Sequence, residues 1–261
     1  MQRVFITGAS SGIGAALARR YAEQGAVLGL VARRETVLRE FAASLPQAGQ
    51  HRCYALDVTD HAALAAAAAD FIAGGAVDVV IANAGISAGT LTEYAEDLAV
   101  FEQIVATNLL ATVATFAPFI AAMKAQAQAG RTTPRLVGIG SVAGIRGLPG
   151  AGAYSASKAA VISYCESLRV ELHGSGVKVV TIAPGFIATP MTQENPYPMP
   201  FLMPAEKFAA RALQAIACGD SYRVIPWQMG VLAKLLRLLP NALYDAATSK
   251  RARKPRHLSG K

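Results

Sequence analysis

The chain has 261 residues, of which 53% are hydrophobic and 16% charged, and carries a formal net charge of +8. That length suits one large α/β domain with a substantial core, and no continuous apolar run approaches the ~20 residues of a membrane span. Six cations, Lys250, Arg251, Arg253, Lys254, Arg256 and Lys261, sit beyond residue 247 with no acid among them, so the rest of the chain carries only +2. The positive excess therefore marks a solvated, disordered tail over residues 248–261 and gives no reason to expect a nucleic-acid partner.

Cys53, Cys165 and Cys218 are scattered and form no Cys-x-x-Cys, which predicts free, buried thiols in a reducing compartment. The four histidines show no metal-ligand spacing, and no metal is expected. Met1-Gln2-Arg3 runs straight into Val4-Phe5-Ile6, leaving no room for a secretory signal, so a cytoplasmic location is expected.

Arg3–Thr7 reads as a first strand. The turn Thr7-Gly8-Ala9-Ser10-Ser11-Gly12-Ile13-Gly14 follows, and residues 15–24 have helix composition. Strand, glycine-rich turn and helix together make a dinucleotide site. Glycines admit a pyrophosphate close to the backbone, and the helix amino end offers free N–H groups and a positive dipole. Val27–Ala32 is a wholly apolar second strand, as expected inside a parallel sheet. At its end, where an NAD site usually has an acid for the ribose hydroxyls, stand Ala32, Arg33 and Arg34. Two arginines opening the helix over 35–44 oppose its dipole. The 2′-phosphate of NADP would resolve that conflict; two simply solvated arginines are the alternative.

Residues 53–56 form a third strand, followed by Asp57 and Val58, and His61–Ala73 is an alanine-rich helix. A fourth strand over 78–82 ends in Asn83-Ala84-Gly85, small residues that suit the close approach of a flat ligand or a tight turn. A long helix is predicted over 97–129 with Asn108 in its interior, a position that disfavours Asn. The apolar run 136–140 then delivers Ser141 to the carboxyl end of a fifth strand.

Tyr154 and Lys158 stand four apart in a predicted helix over 153–172, so they project from one face. A phenol has an ordinary pKa near ~10, and an ammonium group one turn away favours the phenolate, drawing that value towards the working range. With the Ser141 hydroxyl, these groups suit polarisation and protonation of a carbonyl oxygen. A sixth strand over 177–183 leads to Pro184-Gly185. Residues 186–204 hold five prolines with Met191, Met199, Met203, Tyr197 and Phe201, composed as a lid over an apolar substrate or as a loop packed on its own domain. Ala205–Cys218 is a helix and Tyr222–Ile225 a last strand.

The alternation implies a single-domain, doubly wound parallel sheet of about seven strands, Rossmann-type, over residues 1–226, with helices on both faces. Gly8 to Gly14, Ala32, Asp57, Asn83, Ser141 and Pro184 all fall at strand carboxyl ends and line one rim. Residues 227–247 form an amphipathic helical extension. Leu232, Leu235, Leu236 and Leu239 share one face, widened by Val231 and Leu238, with Lys234 and Arg237 opposite. That face predicts either packing on the domain or a neighbouring subunit, or peripheral contact with an anionic membrane.

These elements resemble the classical short-chain dehydrogenase/reductase family over residues 3 to about 226. Thr7 to Gly14 matches its Thr-Gly-x-x-x-Gly-x-Gly signature, with Asn83-Ala84-Gly85 and Pro184-Gly185 matching two further elements. The resemblance implies a catalytic set of Asn108, Ser141, Tyr154 and Lys158. Ser141 would hold the substrate oxygen, Tyr154 exchange the proton, Lys158 bind the nicotinamide ribose and lower the Tyr154 pKa, and Asn108 support a water. It also implies cofactor contacts at Gly8, Ser10, Ser11, Gly12, Ile13 and Gly14. Asp57 and Val58 would lie at the adenine, Asn83, Ala84 and Gly85 along the rim, and Pro184, Gly185, Ile187 and Thr189 by the nicotinamide. Ala-Arg-Arg is similar to NADP-preferring members, so NADP(H) is expected over NAD(H). Ala82 stands where many members have another Asn. The implied activity is hydride transfer between nicotinamide and a carbonyl or secondary alcohol, with a homo-oligomer as the assembly; the family does not choose a substrate, and the apolar composition of residues 186–204 is what points to an apolar ketone or aldehyde. An NADP-binding regulatory or membrane-associated scaffold on the same fold is the alternative.

Overall fold

The computed structural model describes residues 1–130, 132–193, 195–249 and 252–256. In chain order the elements are β1 (Arg3–Thr7), α1 (Gly12–Glu23), β2 (Val27–Ala32), α2 (Glu35–Ala43), β3 (Arg52–Ala55), α3 (His61–Ala73) and β4 (Val79–Ala82). Then come α4 (Asp97–Val105), α5 (Ala111–Gln128), β5 (Arg135–Ile139), α6 (Gly152–Glu171), β6 (Lys178–Pro184), β7 (Ile187–Ala188) and α7 (Pro190–Gln193). The chain closes with β8 (Met203–Pro204), α8 (Ala205–Cys218), β9 (Tyr222–Ile225), α9 (Trp227–Leu238) and α10 (Asn241–Thr248).

Seven strands form one parallel sheet in the order β3-β2-β1-β4-β5-β6-β9. Strand β4 and most of β1, β2, β5 and β6 are buried apolar runs, as a sheet covered on both faces requires. One apolar layer joins the sheet to α1 and α8, the other to α3, α5 and α6. In β2, Gly29 has no room for a side chain: a Cβ there would lie 2.7 Å from the Phe5 ring and 2.9 Å from the Phe71 ring. Strand order reverses between β1 and β4, and the crevice that opens at such a reversal is where the glycine-rich turn and Asn83 face each other.

Three expectations are corrected. The helix predicted over 97–129 is interrupted: a wider, π-helical turn at Ala106–Leu110 separates α4 from α5 and contains Asn108. By length and composition the Asp97–Gln128 stretch could cross a membrane, yet α5 packs on α3 and the sheet, as a core helix does.

The extension docks by a different face from the one predicted. Met229, Gly230 and Ala233 are buried, whereas Trp227, Val231, Leu235 and Leu238 form an exposed stripe, 49% to 80% accessible. Glycines cause the rotation. A Cβ on Gly185 would meet Met229 at 2.6 Å, and one on Gly230 would meet Val224 at 3.1 Å, so α9 seats closely there.

The tail is not simply solvated. Residues 252–256 lie against the domain, because Arg256 reaches the buried carboxylate of Asp97 at 2.9 and 3.0 Å. Lys250, Arg251 and Lys261 lie outside the described residues.

Candidate active site

The rim begins at the turn between β1 and α1. Gly8 and Gly12 adopt φ of +67° and +55°, conformations that L side chains rarely take. A Cβ on Gly14 would lie 2.1 Å from the Gly8 carbonyl, so the turn closes only with glycine there. Ser11 opens α1 without a side-chain cap, and no acid stands in the first turn, which leaves the helix amino end open to an external anion.

Asn83 holds this turn from below. Its side-chain NH2 donates to the carbonyls of Thr7 at 3.0 Å and Gly8 at 3.2 Å, and the Thr7 hydroxyl accepts from the Asn83 and Ala84 amides at 3.1 Å. Ser10 is half-buried and Ser11 exposed, while Ile13 packs partly on the core.

Arg33 and Arg34 are exposed at the end of β2, and the Arg33 guanidinium stands 3.9 Å from Asp57 Oδ2. Asp57 Oδ1 accepts from the Thr59 amide at 2.9 Å and its hydroxyl at 2.8 Å. The Val58 side chain is buried in the layer with Leu64 and Phe71, because a branched apolar side chain at this point finds the core.

Around Tyr154 the side chains converge. Ser141 stands two residues beyond β5, is buried, and accepts the Ala143 amide at 3.1 Å, which starts a tight turn over Val142–Gly144. That turn sits directly on α6: a Cβ on Gly144 would meet the Lys158 and Ala159 backbone at 2.7 Å. The Ser141 hydroxyl lies near enough to the Tyr154 hydroxyl to favour its phenolate form. Lys158 is buried, its Nζ donating to the Ile139 carbonyl at 2.8 Å and lying 5.9 Å from the Tyr154 ring centre.

Asn108 is wholly buried. Its Oδ1 accepts the Ile86 amide at 2.8 Å, and its Nδ2 donates to the Ile86 carbonyl at 3.1 Å and to Ser157 Oγ at 2.9 Å. Gly85 lies between these groups, for a Cβ there would be 3.1 Å from Asn108 Oδ1 and 3.5 Å from Lys158 Nζ.

The electrostatics differ from the simple expectation for a Tyr–Lys pair. Burial raises the Tyr154 phenol above its ordinary value; the nearby Ser141 hydroxyl opposes this and Tyr197 reinforces it. Burial also pushes Lys158 down to about 8, against a smaller opposing effect of Cys165. Desolvation therefore outweighs any pull of the ammonium on the phenol, and the ammonium is turned to a backbone carbonyl beneath the ring.

The far side of the cleft is built after β6. Pro184 is buried, the Gly185 amide donates to the Ile225 carbonyl at 2.8 Å, and Ile187 is buried. Thr189 lies over the glycine-rich turn, its side chain 3.3 Å from where a Gly12 Cβ would stand. The loop beyond is pinned at its base, where Ile187 pairs with Met203 and Ala188 with Pro204. Above that ladder Phe186 and Tyr197 pack with ring centres 6.3 Å apart, and Met191, Phe201 and Leu202 are exposed.

Two contributors escaped the sequence reading. Ser157 ties Asn108 to α6, a link its place beside Lys158 could have suggested. The other is the tail segment 252–256, whose basic composition gave no hint of a docking site.

Comparison with known proteins agrees with this geometry. The sequence profile of the short chain dehydrogenase family matches residues 2–198. An uncharacterized oxidoreductase of Myxococcus xanthus is 38% identical over 93% of this chain and 94% of its own. A putative ketoacyl reductase of Streptomyces coelicolor is 37% identical over 71% of this chain and 70% of its own. Among solved structures, a short-chain type dehydrogenase/reductase from Mycobacterium marinum superposes with a TM-score of 0.76 at 26% identity, covering 86% of this chain and 93% of that one. A Brucella melitensis 3-ketoacyl-(acyl-carrier-protein) reductase complexed with NADH also gives a TM-score of 0.76, at 24% identity over 86% and 96% of the two chains. Since the profile match takes in the glycine-rich turn and the Tyr154 helix alike, the chain belongs to the short-chain dehydrogenases, a family of oxidoreductases.

Proposed function

We propose that the protein is an NADP(H)-dependent reductase of an apolar ketone or aldehyde. The observation that carries this reading is the meeting of Ser141, Tyr154 and Lys158 at the carboxyl ends of β5 and α6's first turns, facing the open amino end of α1 across the crevice. The uncapped α1 terminus with its left-handed glycines fits a dinucleotide pyrophosphate, to be held by the turn over Gly8 to Gly14. Exposed Arg33 and Arg34 fit a 2′-phosphate, with charge-assisted hydrogen bonds as the source of preference. When bound, the nicotinamide supplies the hydride.

The chain's own groups do the rest. Ser141 Oγ holds the carbonyl oxygen, and Tyr154 Oη gives it the proton as negative charge develops there. A phenol whose pKa is raised by burial is protonated at neutral pH, the state a reductase needs in its proton donor. Lys158, buried one turn away, supplies positive charge beneath the phenol, and Asn108 fixes the loop at Ile86 against α6. Met191, Tyr197, Phe201 and Leu202 give the loop beyond β6 an apolar surface suited to an apolar substrate.

Oxidation of NADPH against a panel of hydrophobic carbonyls tests this reading, with NADH run in parallel. A panel turned over by neither cofactor would leave the scaffold alternative standing. The exposed Leu98 and Leu110 on the α4–α5 stretch and Val170 on α6 support pairing of subunits through these helices. The stripe of Trp227, Val231, Leu235 and Leu238, with Lys234 and Arg237 on the same helix, supports peripheral contact with an anionic membrane from the cytoplasmic side.

A further inference from the structure

We propose that residues 252–256 form the outer wall of the substrate cleft and select substrates by size, with Arg256 as the positioning residue. The inference rests on the carbonyl-reductase reading above.

The segment touches three loops that leave the carboxyl ends of three neighbouring strands. On the loop after β4, the Gly89 amide donates to the Pro255 carbonyl at 2.7 Å. On the loop between Ser141 and Tyr154, the Arg253 side chain packs over Gly150, 2.9 Å from where a Cβ would stand. On the loop after β6, the Lys254 ammonium donates to the Met191 carbonyl at 3.2 Å. Three such anchor points surround the mouth of the crevice, so a chain that joins them crosses it.

The first two loops also bear directly on Tyr154. The Thr90 amide donates to the Gly150 carbonyl at 3.0 Å, and the Ala153 amide donates to Thr90 Oγ1 at 3.3 Å. The wall therefore rests on the backbone immediately before the proton donor. It does not touch the reacting groups themselves, which makes it a filter and not a catalyst.

Arg256 locks the segment in place. Its guanidinium meets both Asp97 oxygens at 2.9 and 3.0 Å and Glu96 at 3.0 Å, and lies 3.7 Å over the Tyr94 ring. Asp97 also accepts the Leu91 amide at 2.8 Å, so the carboxylate is fixed before Arg256 reaches it. A planar fork held by a carboxylate and an aromatic face resists substitution by a simple cation. The fit has a second requirement at Gly89. A Cβ there would lie 2.1 Å from the Lys254 carbonyl oxygen, so only glycine lets the segment lie down.

Gly89→Ala and Arg256→Ala therefore lift the wall through two separate contacts, one a backbone approach and the other an ion pair, and Arg256→Lys restores part of its hold. The test uses the full chain loaded with NADPH. The bulky probe is 6-propionyl-2-(dimethylamino)naphthalene, a ketone whose emission reports an apolar site; acetophenone is the small one. In both alanine variants the KM and the emission-read Kd for the bulky ketone should fall about tenfold, which corresponds to about 1.4 kcal/mol no longer needed to displace the wall. The kcat values and the acetophenone KM should hold within about twofold, and Arg256→Lys should lie between wild type and Arg256→Ala. Tryptic cleavage after Arg253, followed by mass spectrometry, should accelerate in the same two variants. Faster cleavage with an unchanged ratio of the two KM values, or no movement of either readout in Gly89→Ala, overturns the proposal. If wild type binds the dye but reduces neither ketone, the reductase reading fails alone and the Kd series still decides the role of the wall.

Discussion

Lys158 offers the sharpest quantitative test of the site's electrostatics. Its amine is buried, donates to one backbone carbonyl, and titrates near 8 in place of its ordinary 10.5. Because the folded value is depressed, the folded protein sheds this proton at a lower pH than the unfolded chain does. Between about pH 8 and pH 10.5 the unfolded state binds the extra proton, so stability contributed by this site rises with pH across that window. The drop from 10.5 to about 8 corresponds, at about 1.4 kcal/mol per tenfold change in proton affinity, to about 3 kcal/mol over the whole window. About 2 kcal/mol of it should be visible between about pH 7.5 and pH 10. Lys158→Met keeps the length of the side chain and removes the titration. Urea unfolding of the cofactor-free wild type and variant at several pH values isolates the effect, since every other group titrates in both proteins. Wild-type stability relative to the variant should climb by about 2 kcal/mol as pH rises. A difference that stays flat, or declines, would refute the argument that desolvation dominates at this lysine. At neutral pH the variant should also lose activity, because the positive charge beneath Tyr154 has gone.

Tyr154→Phe should lower turnover by about 10²- to 10⁴-fold while leaving cofactor affinity nearly unchanged, since the ring still packs but cannot give a proton. Steady-state rates with cofactor titration check this; Ser141→Ala should be strongly impaired as well, and near-normal turnover of Tyr154→Phe on any wild-type substrate would sink the assigned role. Replacing Arg33 and Arg34 together with Ala should weaken NADPH binding by at least about tenfold and leave NADH binding unchanged, as loss of charge-assisted hydrogen bonds requires. Equal wild-type affinity for the two cofactors would remove the basis of that expectation. Sedimentation with anionic vesicles should decline with added salt, and Leu235→Glu with Leu238→Glu should abolish it, because these side chains are 57% and 80% exposed. No sedimentation of the wild type at low salt counts against the membrane contact.

The strands were the most readable part of the chain. Parallel strands buried on both faces appear as unbroken apolar runs, and the runs at Val27–Ala32 and Arg3–Thr7 coincide with β2 and β1. The glycine-rich turn was equally plain, because steric closeness at Gly8 and Gly14 admits one residue type. What could not be read depends on tertiary contact. Nothing local at Val58 says whether its side chain turns to core or rim. On α9, hydrophobic spacing gave the right helix but the wrong buried face, since Gly185 and Gly230 let a narrower, less hydrophobic face sit closer. For the tail, six cations without an acid describe a solvated segment until Asp97, distant in sequence, supplies the partner.

The π-helical turn at Ala106–Leu110 means that α4 and α5 are two phases of one rod. An α-helix advances by about 100° per residue, so one residue of widening turns everything beyond it by that angle. Beyond it α5 packs Phe116, Phe119 and Met123 against the sheet, and within it Asn108 points inward at Ile86 and Ser157. The widened turn acts as a phase shifter, setting the register in which α5 packs the core apart from the register in which α4 packs Ile104 beside Ala88 and Ala153.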